Sequence, residues 1–254
     1  MLSPEDLTAV AASYGVAEEQ VRRDHLIGHT LAAIAAASAD VVFFGGTALA
    51  RTHLADPASG GRLSEDIDLW SESRRETAQL LEKAIPRALR REFPGVEFTV
   101  GLSAVRAVDP AQLATPDGLR LQVQLLDADG GHAHWRMWPT EARLLAPRYS
   151  DVQATRLVVP TLPAFVAMKL TAWLDRRAAR DLFDLASLAR LGAVSTESLE
   201  LAEAALGYRP SAAMLRLEPQ GDWIIELSNR ISDPGTAQAC LADVMAAIND
   251  LRVA

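Results

Sequence analysis

Runs of apolar residues, period-two alternation and helical stripes follow one another along this chain, and each predicts an element. Ser3-Pro4-Glu5-Asp6 opens a helix, with serine as N-cap and proline in the first turn. A longer helix is predicted from about Ala17 to Ser38, with Val21, Leu26, Ile27, Thr30, Leu31 and Ile34 as its apolar stripe. Val41-Val42-Phe43-Phe44 is a short apolar run cut by Gly45-Gly46. It reads as a buried strand, a tight turn and then a helix. Asp66-Ile67-Asp68-Leu69 alternates as a strand does, so both aspartates share one face and both aliphatic side chains the other. A helix is expected over Glu72–Arg91, then strands at Val96–Val100 and Gly118–Asp127. Leu157-Val158-Val159-Pro160 reads as a short strand, and Thr161 caps the helix that follows. Four helices are predicted in the tail, at Thr196–Leu206, Ser211–Leu217, Asp222–Ile231 and Thr236–Leu251.

The 254 residues are 49% hydrophobic, enough for one large domain or two smaller ones. A net charge of -8 argues against a general nucleic-acid coat, though not against a local basic groove. Arg74, Arg75, Lys83, Arg87, Arg90 and Arg91 offer such a groove, or a solvated face balanced by Glu72, Glu76 and Glu82. A lone cysteine, Cys240, fits a reducing, cytoplasmic setting. The N-terminus has neither the basic nor the apolar region of a signal peptide, and no apolar run reaches membrane-spanning length.

Two stretches carry chemistry. Adjacent glycines allow the backbone to approach a ligand closely, and the helix start behind them offers N–H groups to an anion. Two carboxylates on one strand face repel unless a cation lies between them, and hard oxygen donors at this spacing suit Mg2+. A phosphate-cradling turn followed by paired carboxylates suggests metal-assisted phosphoryl or nucleotidyl transfer. His25 and His29 lie four apart on a helix, but no carboxylate or cysteine accompanies them in the sequence, so they read as a surface or packing pair. His132, His134, Trp135 and Trp138 form a loop-like stretch whose aromatics stack on a base or cover a core.

Gly45-Gly46-Thr47 with Arg51, then Arg62-Leu63-Ser64-Glu65-Asp66-Ile67-Asp68-Leu69, resembles the opening motifs of the DNA polymerase β-like nucleotidyltransferases. The form is similar to the AbiEii/MenT toxins. Lys169 followed by Arg176-Arg177-Ala178-Ala179-Arg180-Asp181-Leu182-Phe183-Asp184-Leu185 resembles that family's lysine and Arg-Asp-x-x-Asp-Leu pattern. The resemblance implies an α/β (α+β) fold: a polymerase β-like domain with a small mixed sheet over residues 1–150, and a mainly helical region over 151–254. It implies a cleft between them, Mg2+ on Asp66 and Asp68, phosphates held by Gly45, Gly46, Thr47, Arg51, Ser64 and Lys169, and a catalytic part for Asp184. Asp181 is the second choice for that part. Alternatively, Asp181 and Asp184 pair with Arg177 and Arg180 and pin two helices together. The family usually places a third carboxylate on the strand over 118–127. Here Gln122 and Gln124 hold the matching positions and Asp127 has the wrong parity, so this strand departs from the family pattern at the position of a second metal's carboxylate. By resemblance the donor is a nucleoside triphosphate, the acceptor an RNA such as the tRNA 3′ end, the outcome a translation block, and the partner a cognate antitoxin. Phosphorylation of Ser64 would oppose metal binding by adding charge beside the carboxylates. A small-molecule nucleotidyltransferase and a non-catalytic binding module are the alternatives.

Overall fold

A seven-stranded mixed sheet carries the first half of the chain, in the order β3-β4-β5-β2-β1-β7-β6. The computed structural model describes residues 1–127 and 137–251. The strands are β1 (Val42–Phe44), β2 (Asp66–Trp70), β3 (Glu97–Val100), β4 (Ala111–Ala114), β5 (Arg120–Leu126), β6 (Thr140–Leu144) and β7 (Arg156–Pro160). The helices are α1 (Pro4–Tyr14), α2 (Glu18–Ala36), α3 (Gly45–Arg51), α4 (Arg74–Leu89), α5 (Leu162–Arg176), α6 (Ala179–Arg190), α7 (Thr196–Leu206), α8 (Trp223–Leu227) and α9 (Ala237–Asp250). The expected α/β class and mixed sheet are therefore present. β4 and β6 are strands that the sequence pattern had not predicted.

The central ladders set the register of everything that follows. β1 and β2 are antiparallel, with Phe44 opposite Asp68. β2 and β5 are parallel, with Asp66 opposite Gln122 and Asp68 opposite Gln124. Ile67, Leu69, Leu121 and Val123 are fully buried, as the alternation requires. α2 presents Val21, Leu26, Ile27, Leu31 and Ile34 to the core. Each contributes on the order of 1.5–3 kcal/mol through burial.

The chain divides into two units. The first comprises residues 1–52 and 63–160; the second comprises 53–62 and 161–254. This differs from a division at residue 150 in two respects. β7 pairs with β1 at Val42 and Val158 and so belongs to the first unit. Residues 53–62 belong to the second unit, where Gly60 packs against Ser187 of α6 so closely that a Cβ would meet the serine Cβ at 2.7 Å. Gly60 also has φ +79°, a backbone shape that suits glycine. Within the second unit, Thr161 caps α5 by accepting from the Ala164 N–H, as expected. α7 and α9 form where the pattern placed them, and Ser211–Leu217 and Asp222–Ile231 shrink to the short turns Ala212–Leu215 and Trp223–Leu227. No helix among the described residues is long and apolar enough to cross a membrane.

Candidate active site

The glycine turn and the acidic strand meet in the first unit. Gly45 starts α3 with φ +78°, and a Cβ placed there would run into the Asp68 carboxylate, with Cγ only 3.0 Å away. Any other residue would suffer both backbone strain and this collision. Thr47, 2% exposed, donates its hydroxyl to the Asp66 carbonyl and fastens the turn to β2. Through this bond the Thr47 side chain positions the two motifs against each other.

Asp66 and Asp68 are half-buried on one face of β2, between fully buried Ile67 and Leu69. Their registered neighbours on β5 are the amides Gln122 and Gln124, and Gln124 donates to the Val108 carbonyl at 2.8 Å. Asp127 lies beyond the end of β5. Among the described residues, no third histidine, cysteine or carboxylate joins Asp66 and Asp68 within ligand distance. The oxygen donors, their shared face and the glycine backbone brought onto Asp68 fit one hard divalent cation that completes its shell with water and phosphate.

Two other expected phosphate contacts stand differently. Arg51 is 2% exposed, and its guanidinium pairs with Asp24 of α2 at 2.9 Å and donates to the Asp24 carbonyl at 3.0 Å. Its partner is thus on α2. Burial weakens its hold on the proton and the Asp24 carboxylate opposes that pull. Arg148 and Tyr149 complete this buried network on Asp24, at 2.9 and 2.8 Å. Nothing in the sequence linked these groups, which lie more than a hundred residues from Asp24. Ser64 is 8% exposed, which leaves little surface for a phosphate or a kinase.

Lys169, Asp181 and Asp184 form a second cluster, inside the second unit. The Lys169 ammonium lies 3.0 Å from Asp181 and 2.7 Å from Asp184. Arg176 clasps Asp181 with two bonds, at 2.6 and 3.0 Å. Arg62, itself buried, clasps Asp184 in the same bidentate way, at 2.7 and 2.8 Å. Burial would raise both carboxyls, but the cations outweigh it and hold them below the usual aspartate range: Lys169 then Arg176 for Asp181, Arg62 then Lys169 for Asp184. Lys169 bridges the two carboxylates, and each carboxylate also receives one arginine. The pairing that joins α5 to α6 runs through Lys169 and Arg176, not through Arg177 and Arg180. Arg62 belongs to the motif that resembles the family, but its pairing with Asp184 from the short segment 53–62 is visible only in the fold.

The remaining candidates are structural or lie elsewhere. Arg74 donates to the carbonyls of Leu125, Leu102 and Val105 and so ties α4 down. Arg75, Lys83, Arg87, Arg90 and Arg91 are exposed. Trp138 is buried and covers core, while His132, His134 and Trp135 lie outside the described residues.

Comparisons with known proteins bear on this arrangement. The structure is similar to MenT4, a nucleotidyltransferase toxin of Mycobacterium tuberculosis, with TM-score 0.62 and 18% identity over 99% of this chain and 90% of that one. It is also similar to a crystal structure from H. pylori assigned as a nucleotidyltransferase, with TM-score 0.54 and 16% identity over 94% and 96% of the two chains. At such identities the likeness speaks for the fold. No curated protein matches the sequence. The family model described as nucleotidyl transferase AbiEii toxin, type IV toxin–antitoxin system, matches residues 29–247. That span contains the glycine turn, the acidic strand and the Lys169–Asp184 cluster, and this chain belongs to the AbiEii nucleotidyltransferase toxin family.

Proposed function

We propose that this protein transfers a nucleotidyl group from a nucleoside triphosphate to a hydroxyl of an RNA, with the tRNA 3′ end as acceptor, and so blocks translation. The observation that carries the reading is the collision of motifs at Gly45 and Asp68: a left-handed glycine keeps the backbone on top of a strand whose two solvent-side residues are carboxylates. Asp66 and Asp68 would hold Mg2+. Once bound, the ion supplies charge neutralisation at the triphosphate and at the developing pyrophosphate. The Gly45-Gly46 backbone contributes N–H donors for phosphate oxygens, and Thr47 keeps that turn in register with Asp66. Gln122 and Gln124, uncharged where the family places a carboxylate, support a single resident ion. The acceptor hydroxyl attacks the α-phosphorus, the bond to the bridging oxygen breaks, and pyrophosphate leaves.

Lys169 and Asp184 enter the reading by resemblance, as the phosphate-binding lysine and its catalytic neighbour. Their salt bridges make each a folding residue as well, so activity must be measured on folded variants. Family membership also implies a cognate antitoxin and a setting in the cytoplasm.

The test is transfer of label from each of the four α-labelled nucleoside triphosphates to total RNA, with and without Mg2+, by wild type and D68A. Mg2+-dependent label on tRNA-sized RNA with wild type alone is the expected result. Label on a small hydroxylated acceptor and none on RNA would instead assign a small-molecule nucleotidyltransferase. Absence of transfer by the folded protein to either acceptor would leave a binding module.

A further inference from the structure

His25 and His29 lie one turn apart on α2, and the fold brings to them the carboxylate that their sequence neighbourhood lacks. Asp151, on the segment between β6 and β7, places Oδ1 and Oδ2 at 3.0 and 3.1 Å from His25 Nε2, and Oδ2 at 3.3 Å from His29 Nε2. The two Nε2 atoms are 3.2 Å apart. All three residues belong to the first unit.

Hydrogen bonding does not account for this convergence. Each imidazole Nε2 carries either one proton or one lone pair, directed along one line. Three mutual contacts among two such atoms and a carboxylate ask each nitrogen to serve two partners at once. An ion resolves the conflict. A tetrahedral centre with bonds of roughly 2.0–2.1 Å holds its ligand atoms about 3.3 Å apart. An octahedral centre of similar bond length holds them about 3.0 Å apart. The observed separations of 3.0 to 3.3 Å are those of ligands around one ion.

The surroundings suit one. His25 is nearly buried, while His29 and Asp151 keep 11% and 21% of their side chains exposed, which leaves a path to solvent. Phe93 packs against both imidazoles, with ring centroids 5.5 and 5.6 Å away, and Tyr149 packs edge-on to His25 at 5.0 Å. The Met1 ammonium lies 2.9 Å from the Asp151 carboxylate and 2.6 Å from Glu92, and an ion at this corner would compete with it for Asp151.

We propose that His25, His29 and Asp151 bind a divalent transition-metal ion of the Zn2+ class, separate from the Mg2+ carboxylates. Two imidazole nitrogens are borderline donors and, with one carboxylate oxygen, favour Zn2+ over Mg2+. The ion ties α2 to the segment before β7, across 122 to 126 residues of chain, and strengthens the first unit. One coordination position remains for water.

The experiment is titration of the chelator-treated full chain with ZnCl2 by calorimetry, using wild type, H29A, D151A and the D66N–D68N double variant. Wild type and D66N–D68N should each bind one equivalent and gain thermal stability with it. H29A and D151A should bind about a hundredfold more weakly or not at all, since even residues that merely orient ligands cost 10- to 100-fold. Should either variant lose its fold, histidine ring NMR on wild type decides the matter. Of the five histidines, one equivalent of Zn2+ should shift the Nε2 signals of His25 and His29 and leave His53, His132 and His134 in place. No saturable binding by the folded wild type, or binding that survives both H29A and D151A, overturns the proposal. So does binding lost in H132A–H134A or in D66N–D68N instead.

Discussion

Two pairs of aspartates in this molecule look alike on paper and live under different rules. Asp66 and Asp68 stand two apart on a strand; Asp181 and Asp184 stand three apart on a helix. Each spacing puts both carboxylates on one side of its element. The strand pair is half-buried beside amides, with a glycine backbone against it. The helix pair is 0% and 3% exposed and receives Lys169, Arg62 and Arg176 at 2.6 to 3.0 Å. A buried carboxylate is tolerable only with such partners, because desolvation of a lone charge costs several kcal/mol. A half-buried carboxylate keeps part of its hydration. Proximity in sequence is shared; what differs is how far each pair is taken out of water.

The largest effect should come from breaking the strand pair. D68A should lower nucleotidyl transfer by about a thousandfold, since the charge stabilisation lost is several kcal/mol. Its urea unfolding free energy should stay within about 0.5 kcal/mol of wild type, as for other half-exposed sites. The helix pair should answer in the opposite way. D184A should destabilise the fold by about 3–5 kcal/mol in urea melts, because Arg62 and Lys169 are left buried without their carboxylate. The double variant R62L–D184L should recover part of that loss. If D184N stays folded and transfers nucleotide normally, Asp184 serves the fold alone.

A smaller effect tests the contact that joins turn to strand. G45A should cost about 1–2 kcal/mol for its left-handed backbone. It should also lower transfer about tenfold or more by displacing the Asp68 carboxylate, read as a kcat loss in steady-state assays.

The smallest effect is a pH dependence. Asp181 and Asp184 have folded-state pKa values below the ordinary 3.8, so the folded protein binds fewer protons there than the unfolded chain. Their contribution is fully present above that ordinary value and fades as pH falls through the folded-state pKa. Urea midpoints measured downward from pH 6 should therefore drop more steeply for wild type than for D181N. Equal slopes would mean that the cluster does not hold Asp181 below its ordinary value.

Much of the site was legible from residue order. Gly45-Gly46 after an apolar run announced the turn, and Asp66-Ile67-Asp68-Leu69 announced a strand with acids on one side, because both patterns arise from backbone geometry within a few residues. The parity argument that put Gln122 and Gln124 beside the aspartates needed only the period of a strand, and the β2–β5 register agrees with it. Arg51 and Thr47 were less legible. Their residue types suit phosphate, yet Arg51 lies against Asp24 and Thr47 against the Asp66 carbonyl, partners chosen by how α2 and β2 pack.

The sequence by itself thus determined the strand–turn–helix unit, the acidic face of β2, the Ser3 and Thr161 caps of α1 and α5, the apolar stripe of α2, and the family. Those features depend on propensity, periodicity and motif, which act over two to four residues or match a known pattern. Only the tertiary structure decided which polar groups meet: Arg51 with Asp24, Arg62 with Asp184, Asp151 with His25 and His29. These partners lie 27 to 126 residues apart, and no local rule reaches so far. Burial then turns the two arginine–aspartate encounters into requirements, because a charge taken out of water must find its counter-charge wherever the chain topology has put one.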